Sequence, residues 1–206
     1  MSAISFTTKR ITINGWTILH LPESASKKLP SRGMVMVKGT INLPTGKAGD
    51  VPFKALLEPD GQYGHGLKPS HWFKVDETIL KNIDKKADPP ASAMLKALRA
   101  GDTVQVSLEP TKEWIEPEVP TDVKKALSSS AKAKDLWEDI TPMARWDWIR
   151  WVRAVKTPET RQKHLDVMLD KLNKGMRRPC CFNRNLCSEP HVSKNWVLLA
   201  PTTKEK

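Results

Sequence analysis

Two Thr-Pro pairs and a single glycine constrain this chain more than any other feature of its sequence. They punctuate the stretch 141–181, which reads TPMARWDWIRWVRAVKTPETRQKHLDVMLDKLNKGMRRPCC. A threonine hydroxyl caps a helix by accepting from an early amide, and proline at the first helical position has no amide to leave unpaired. Thr141-Pro142 and Thr157-Pro158 both carry that device, and Glu159 adds an acid to the second helix's first turn. Gly175 stands where a C-terminal glycine ends a helix, followed by Arg177 and Arg178. The stretch predicts an αα-hairpin.

At about 100° per residue, Ala144, Trp148, Trp151, Val152 and Val155 share one side of the first helix and form a core stripe. Trp146 falls on the polar side, with Arg150 one turn on and Arg153 two turns on. A tryptophan between two arginines suits stacking on a planar group or holding an anion. The plainer expectation, favoured here, is that Trp146 packs against the other domain while the arginines are solvated. In the second helix Leu165, Met168, Leu169 and Leu172 form the apolar stripe, with Arg161 in its middle. A buried guanidinium needs a partner. A carboxylate such as Asp147 or Glu138 is the expected one; an anionic ligand is the functional alternative.

The chain's 206 residues suffice for one large domain or two small ones, and 39% hydrophobic with 28% charged residues is the make-up of a soluble globular protein. No apolar run approaches the roughly 18 residues of a membrane span. The N-terminus alternates instead of forming an apolar block, so no signal peptide is expected and the cytosol is the expected compartment. The net charge is +11 and uneven: residues 1–120 hold 16 Lys/Arg against 13 Asp/Glu, and residues 121–206 hold 18 against 10. An excess of that kind favours nucleic acid, anionic lipid or an acidic protein.

The first half reads as β structure. Ile4 to Ile13 alternates, with Thr8, Arg10 and Thr12 opposing Ile11 and Ile13, and the Asn14-Gly15 turn signal leads into Trp16 to Leu21. Further strands are expected at 33–41, with Val35, Val37 and Ile41 on one face, and at 51–58, 70–75 and 103–108. Pro59-Asp60-Gly61 predicts a turn, and residues 77–85 and 92–100 look helical. Several short strands suggest a small barrel or sandwich. Pro110, Pro117 and Pro120, with acids between, mark a stiff connector and a domain boundary. Short helices are expected at 122–127 and 133–140, broken at Ser128–Ser130, and a final strand or anchor at 196–200.

No nucleophile elbow, phosphate loop or dinucleotide fingerprint is present, and no cofactor is expected. The segment Gly61-Gln-Tyr-Gly64-His-Gly66 lacks the strand–turn–helix setting of a phosphate loop; it is expected to be a tight turn presenting Tyr63 and His65. His65 and His71 could serve as a base and its neighbour. Cys180, Cys181 and Cys187 with His191 spell C-C-x5-C-x3-H, but the adjacent pair fits zinc spacing poorly, so three free thiols and no metal are expected. Arg177 and Arg178 beside Cys181 would favour its thiolate.

Taken together, the runs 137–151 (WEDITPMARWDWIRW), 159–161 (ETR) and 175–181 (GMRRPCC) resemble the helical domain of the YdeI/OmpD-associated bacteriocin-protection family. The runs 35–42 (VMVKGTIN), 58–61 (EPDG), 101–104 (GDTV) and Val119-Pro120 are similar to the domain of unknown function that often precedes it. The resemblance implies a bacterial protein and an α+β fold: a double-split, AbrB-like β-barrel followed by a small helical domain. It implies a role in resistance to antimicrobial peptides and transfers no catalytic residue.

The expected organisation is a barrel over 1–116 and a helical domain over 117–206. The expected function is that of a non-enzymatic binding protein for an anionic or planar ligand. Tyr63, His65, Arg145, Trp146, Arg150, Arg153, Arg161, Arg177 and Arg178 are its candidate contacts. A DNA-binding regulator built on the barrel, and an enzyme at the junction of barrel and helices, are the alternatives.

Overall fold

The computed structural model describes residues 3–42, 50–60, 70–75, 98–179, 188–195 and 197–202. The chain divides into two compact units, one of residues 1–113 with 197–206 and one of residues 114–196. The fold is α+β. Tyr63, His65, the three cysteines, the expected helix at 77–85 and residues 92–97 of the one expected at 92–100 lie outside the described residues, and residues 98–100 are not helical.

The first unit is a closed antiparallel barrel. Its strands are β1 (Ile4–Ile13), β2 (Trp16–His20), β3 (Val35–Asn42), β4 (Val51–Asp60), β5 (Ser70–Lys74) and β6 (Thr103–Pro110), in the order β1-β2-β5-β4-β3-β6. A one-turn helix, α1 (Glu23–Ser26), lies in the connection after β2. Asn14 and Gly15 both take positive φ, 47° and 81°, as the two-residue turn between β1 and β2 requires. Closure depends on two strands that change partners along their length. β1 pairs with β6 from Ile4 to Lys9 and with β2 from Arg10 to Ile13. β4 pairs with β3 from Val51 to Leu57 and with β5 from Glu58 to Asp60.

Inward side chains fill the barrel. Val35, Val37, Ile41, Phe53, Leu57, Phe73, Val104, Val106 and Leu108 belong to one buried cluster, and the rings of Phe53 and Phe73 stack at 5.2 Å. At about 25 cal/mol per Å² of apolar surface, each large side chain so buried contributes roughly 1.5–3 kcal/mol. Gly39 sits between Phe53 and Leu108 in register. A Cβ there would overlap the Ser107 carbonyl oxygen and lie 2.7 Å from Leu108 Cα, so close approach of β3 to β6 requires glycine. The alternation read for β1 holds only in part. Ile13 is buried, but Arg10, Ile11 and Thr12 are all half-buried, because β1 exchanges β6 for β2 at Arg10 and its faces change surroundings there.

The second unit contains α2 (Thr121–Ser128), α3 (Ala131–Asp139), α4 (Pro142–Arg153) and α5 (Pro158–Asn173). The two Thr-Pro signals act as caps. Thr141 Oγ1 accepts from the Ala144 amide at 3.3 Å, and Thr157 Oγ1 from the Thr160 amide at 3.2 Å. Ser130 caps α3 in the same way, accepting from Ala133. Gly175, at φ 83°, ends α5: its amide bonds Leu172 O at 2.9 Å and the Met176 amide bonds Lys171 O at 3.0 Å. That is a Schellman closure, which uses two carbonyls the helix leaves free.

The core of this unit is built from Val123, Leu127, Trp137, Ile140, Trp148, Val152, Leu165, Met168 and Leu172, with Trp151 and Leu169 half-buried against it. Ile149 and Arg150 are buried as well, so α4 is enclosed over more than the stripe its periodicity marks. Among the described residues, no helix is long and apolar enough to cross a membrane.

Candidate functional site

The arginines singled out by sequence do not lie together as a free face. Each described one has an intramolecular partner. Arg145 donates from Nε to Trp137 O at 2.9 Å, from Nη1 to Glu116 at 2.7 Å and from Nη2 to Glu138 O at 2.8 Å. Trp146, half-buried, donates its indole N–H to Ile115 O at 2.8 Å. Ile115 lies in the connector that leads into the helices. Neighbouring Arg145 and Trp146 thus hold successive connector residues, Glu116 and Ile115.

Arg161 lies in the apolar stripe as expected, but its partner is Asp122 on α2, not Asp147 or Glu138. The guanidinium engages both carboxylate oxygens, Nε to Oδ2 at 2.5 Å and Nη2 to Oδ1 at 3.1 Å, and Nη1 reaches Val152 O at 3.4 Å. Hydrogen bonding by Arg161 holds the Asp122 carboxyl below the ordinary carboxylate range. Glu138 instead faces Lys134, and Asp147 faces Arg178 at 3.7 Å.

Arg150 and Arg153, which the spacing predicts to be solvated, are largely enclosed. Arg150 is 6% exposed and Arg153 pairs with buried Glu189 at 2.9 Å. Arg177 donates to both the carboxylate and the carbonyl of Asp139, at 2.5 and 2.9 Å. Trp151 stacks on His164 with ring centroids 4.0 Å apart, while Trp148 meets it edge-on and Lys171 lies over it. Its faces are engaged by the unit's own side chains.

In the barrel, His71 is buried beside Ser26. The Ser26 hydroxyl lies 2.5 Å from His71 Nδ1, and His71 Nε2 lies 2.9 Å from Gly33 O. The carbonyl can only accept, so Nε2 carries the proton and Nδ1 accepts from Ser26. Burial pushes the His71 pKa below 6.5, against the hydrogen bond to Gly33, which raises it. Ser26 and His71 are 6% and 2% exposed, and the pair ties α1 and residue 33 to β5. Close by, His20 Nε2 lies 2.7 Å from Asp60 Oδ2, and Asp60 Oδ1 accepts from the Leu198 amide.

One concave surface of the barrel was not foreseen. A groove of about 450 Å³ lies over β1, β6 and β3, lined by Ser5, Phe6, Thr7, Thr40, Asn42, Asp50, Gln105, Val106 and Ser107. Register explains its composition. Ser5 pairs with Ser107, and Ser107 with Thr40; Thr7 pairs with Gln105, and Gln105 with Asn42. The outward positions of three strands therefore form two rungs of three neutral polar side chains. Ser5 Oγ donates to Ser107 Oγ at 3.2 Å, and Asn42 Nδ2 to Asp50 Oδ1 at 3.0 Å. The sequence carried part of this signal, since Ser5, Thr7, Gln105 and Ser107 alternate with apolar residues. Which strands stand side by side is not written in that alternation.

These features define a two-unit α+β protein, a closed barrel joined by a proline-rich connector to a helical unit braced by arginine pairs. Residues 116–175 match the model of a family described as bacteriocin-protection, YdeI or OmpD-associated. The match covers the connector's end and all four helices, where the resemblance in sequence is strongest. No curated protein and no solved structure matches the chain.

Proposed function

We propose that the protein is a non-enzymatic binding protein acting in bacteriocin protection from the cytosol, and that its recognition surface is the polar groove of the barrel. The family link supports the biological setting. The groove's lining supports the binding role: its described residues offer six neutral hydrogen-bonding side chains and one titratable group, Asp50, itself bonded to Asn42. Acid–base or covalent catalysis calls for a base beside a second titratable group or an activated nucleophile. Paired donors and acceptors on a rigid sheet are the equipment of recognition.

The test is protection of a bacteriocin-sensitive strain by the full chain and by its Gln105→Trp variant. Gln105 is exposed, and an indole there fills the groove without entering the core. Protection should be lost while the amide spectrum of the barrel is retained. Undiminished protection by a folded variant would overturn the assignment.

A second surface has one observation in its favour. Arg177 and Arg178 follow one another with side chains 52% and 50% exposed, so an anionic ligand could exchange with Asp139 and Asp147. This reading predicts steeply salt-dependent binding of an oligonucleotide, lost on changing both arginines to alanine.

A further inference from the structure

We infer that the groove takes an extended peptide segment carrying a basic side chain. The inference rests on the binding reading above and adds the ligand's class.

Geometry supplies the first argument. The rungs Ser5–Ser107–Thr40 and Thr7–Gln105–Asn42 are two residues apart along each strand. Two residues of extended chain span about 6.8 Å, and neighbouring strands lie about 4.8 Å apart. A ligand laid parallel to the strands meets equivalent groups at that 6.8 Å repeat, which is the same-side repeat of an extended peptide.

Chemistry supplies the second. The carboxamides of Asn42 and Gln105 each present a donor and an acceptor at one end, matching the N–H and C=O of a peptide main chain. The four hydroxyls of Ser5, Thr7, Thr40 and Ser107 can play either part. The Phe6 ring, half-buried, packs against the barrel core.

Charge supplies the third. Among the described lining residues one side chain is charged, the exposed carboxylate of Asp50 at the Asn42 end. The next rung beyond Thr40 holds Lys38 and Glu109, paired with each other at 3.3 Å. Lys9, opposite Thr103, lies beyond the other rung and outside the lining. A lysine or arginine of the peptide would pair with the Asp50 carboxylate, whereas a phosphate or carboxylate at that position would be repelled.

The experiment maps amide shifts of the ¹⁵N-labelled full chain on titration with four probes. They are a degenerate octapeptide pool with lysine fixed at a central position, the same pool with glutamate fixed there, chitotetraose, and an eight-residue oligothymidylate. The lysine pool should shift residues 5, 7, 40, 42, 105 and 107. Asp50→Asn should weaken that binding about two- to fivefold, the size of an exposed ion pair, and Gln105→Trp should abolish it. Shifts at these residues from the glutamate pool, the sugar or the oligonucleotide, and none from the lysine pool, would overturn the basic-peptide assignment while leaving the groove a binding site. Silence of the groove toward all four probes would overturn both.

Discussion

The Arg161–Asp122 pair makes a quantitative prediction about what holds the helical unit together. The two residues are 39 positions apart, and their bond joins α5 to α2. The guanidinium makes two charge-assisted contacts with one carboxylate and a third, longer contact to Val152 O. Hydrogen bonds to charged groups contribute about 1.5–3 kcal/mol, and exposed ion pairs about 0.2–1 kcal/mol. With side-chain exposures of 28% and 38%, this pair stands between those limits. A coupling energy of about 1–2 kcal/mol is expected between Arg161→Leu and Asp122→Ala in a double-mutant cycle at pH 7. The assay is urea unfolding followed through the indole N–H resonances of Trp148 and Trp151, which report the helical unit alone.

The pair also fixes the direction of a pH effect. Arg161 lowers the folded-state pKa of Asp122 below its ordinary value of 3.8. The unfolded chain therefore takes up the proton first. The contribution is fully present above pH 3.8 and is lost as pH falls through the folded-state value. In Arg161→Leu, this part of the acid destabilisation should disappear. A coupling under about 0.3 kcal/mol, the scatter of independent sites, would show that the fork contributes nothing beyond its separate contacts.

Three further outcomes are expected. Barrel stability should fall as pH drops below 6.5, because burial lowers the folded-state pKa of His71 and the unfolded histidine protonates first; the slope should flatten in His71→Asn, measured by urea midpoints between pH 8 and 5. Gly39→Val should destabilise the barrel by about 1–3 kcal/mol or more, since its side chain collides with the β6 backbone; a thermal melt with unchanged midpoint would refute the close approach. Trp146→Phe should cost about 0.5–1.5 kcal/mol by leaving Ile115 O without its donor, and hydrogen exchange should rise at residues 114–117.

Local signals in the sequence specify local structure here. Thr141, Thr157 and Gly175 mark helix ends because capping is decided by the few residues that share one turn. The strands of the barrel are legible for the same reason, as two-residue alternation is a property of one strand. What escapes such reading is the choice of partner. Arg161 announces that it needs a carboxylate, yet Asp122, Glu138 and Asp147 are equal candidates until α2 is placed against α5. Arg150 and Arg153 look solvated because their spacing describes one helix, and not the residue at 189 that returns to Arg153. The groove is the clearest instance: its rungs draw on three strands that are distant in sequence, so no window of the chain contains it.

Residues 197–202 belong to the first unit, and this sets an order of events during synthesis. Leu198 donates its amide to Asp60, and Thr202 donates to Thr12 O at 2.8 Å. The sixth strand leaves the ribosome at Pro110, so these bonds wait for the whole helical unit to be made. At about 5–20 residues per second the delay is roughly 5–20 s. During it the Thr12 carbonyl and the Asp60 carboxylate lack the partners that the tail later supplies. The nascent barrel thus gains these contacts only after the helical unit encoded between Pro110 and Val197 has been translated.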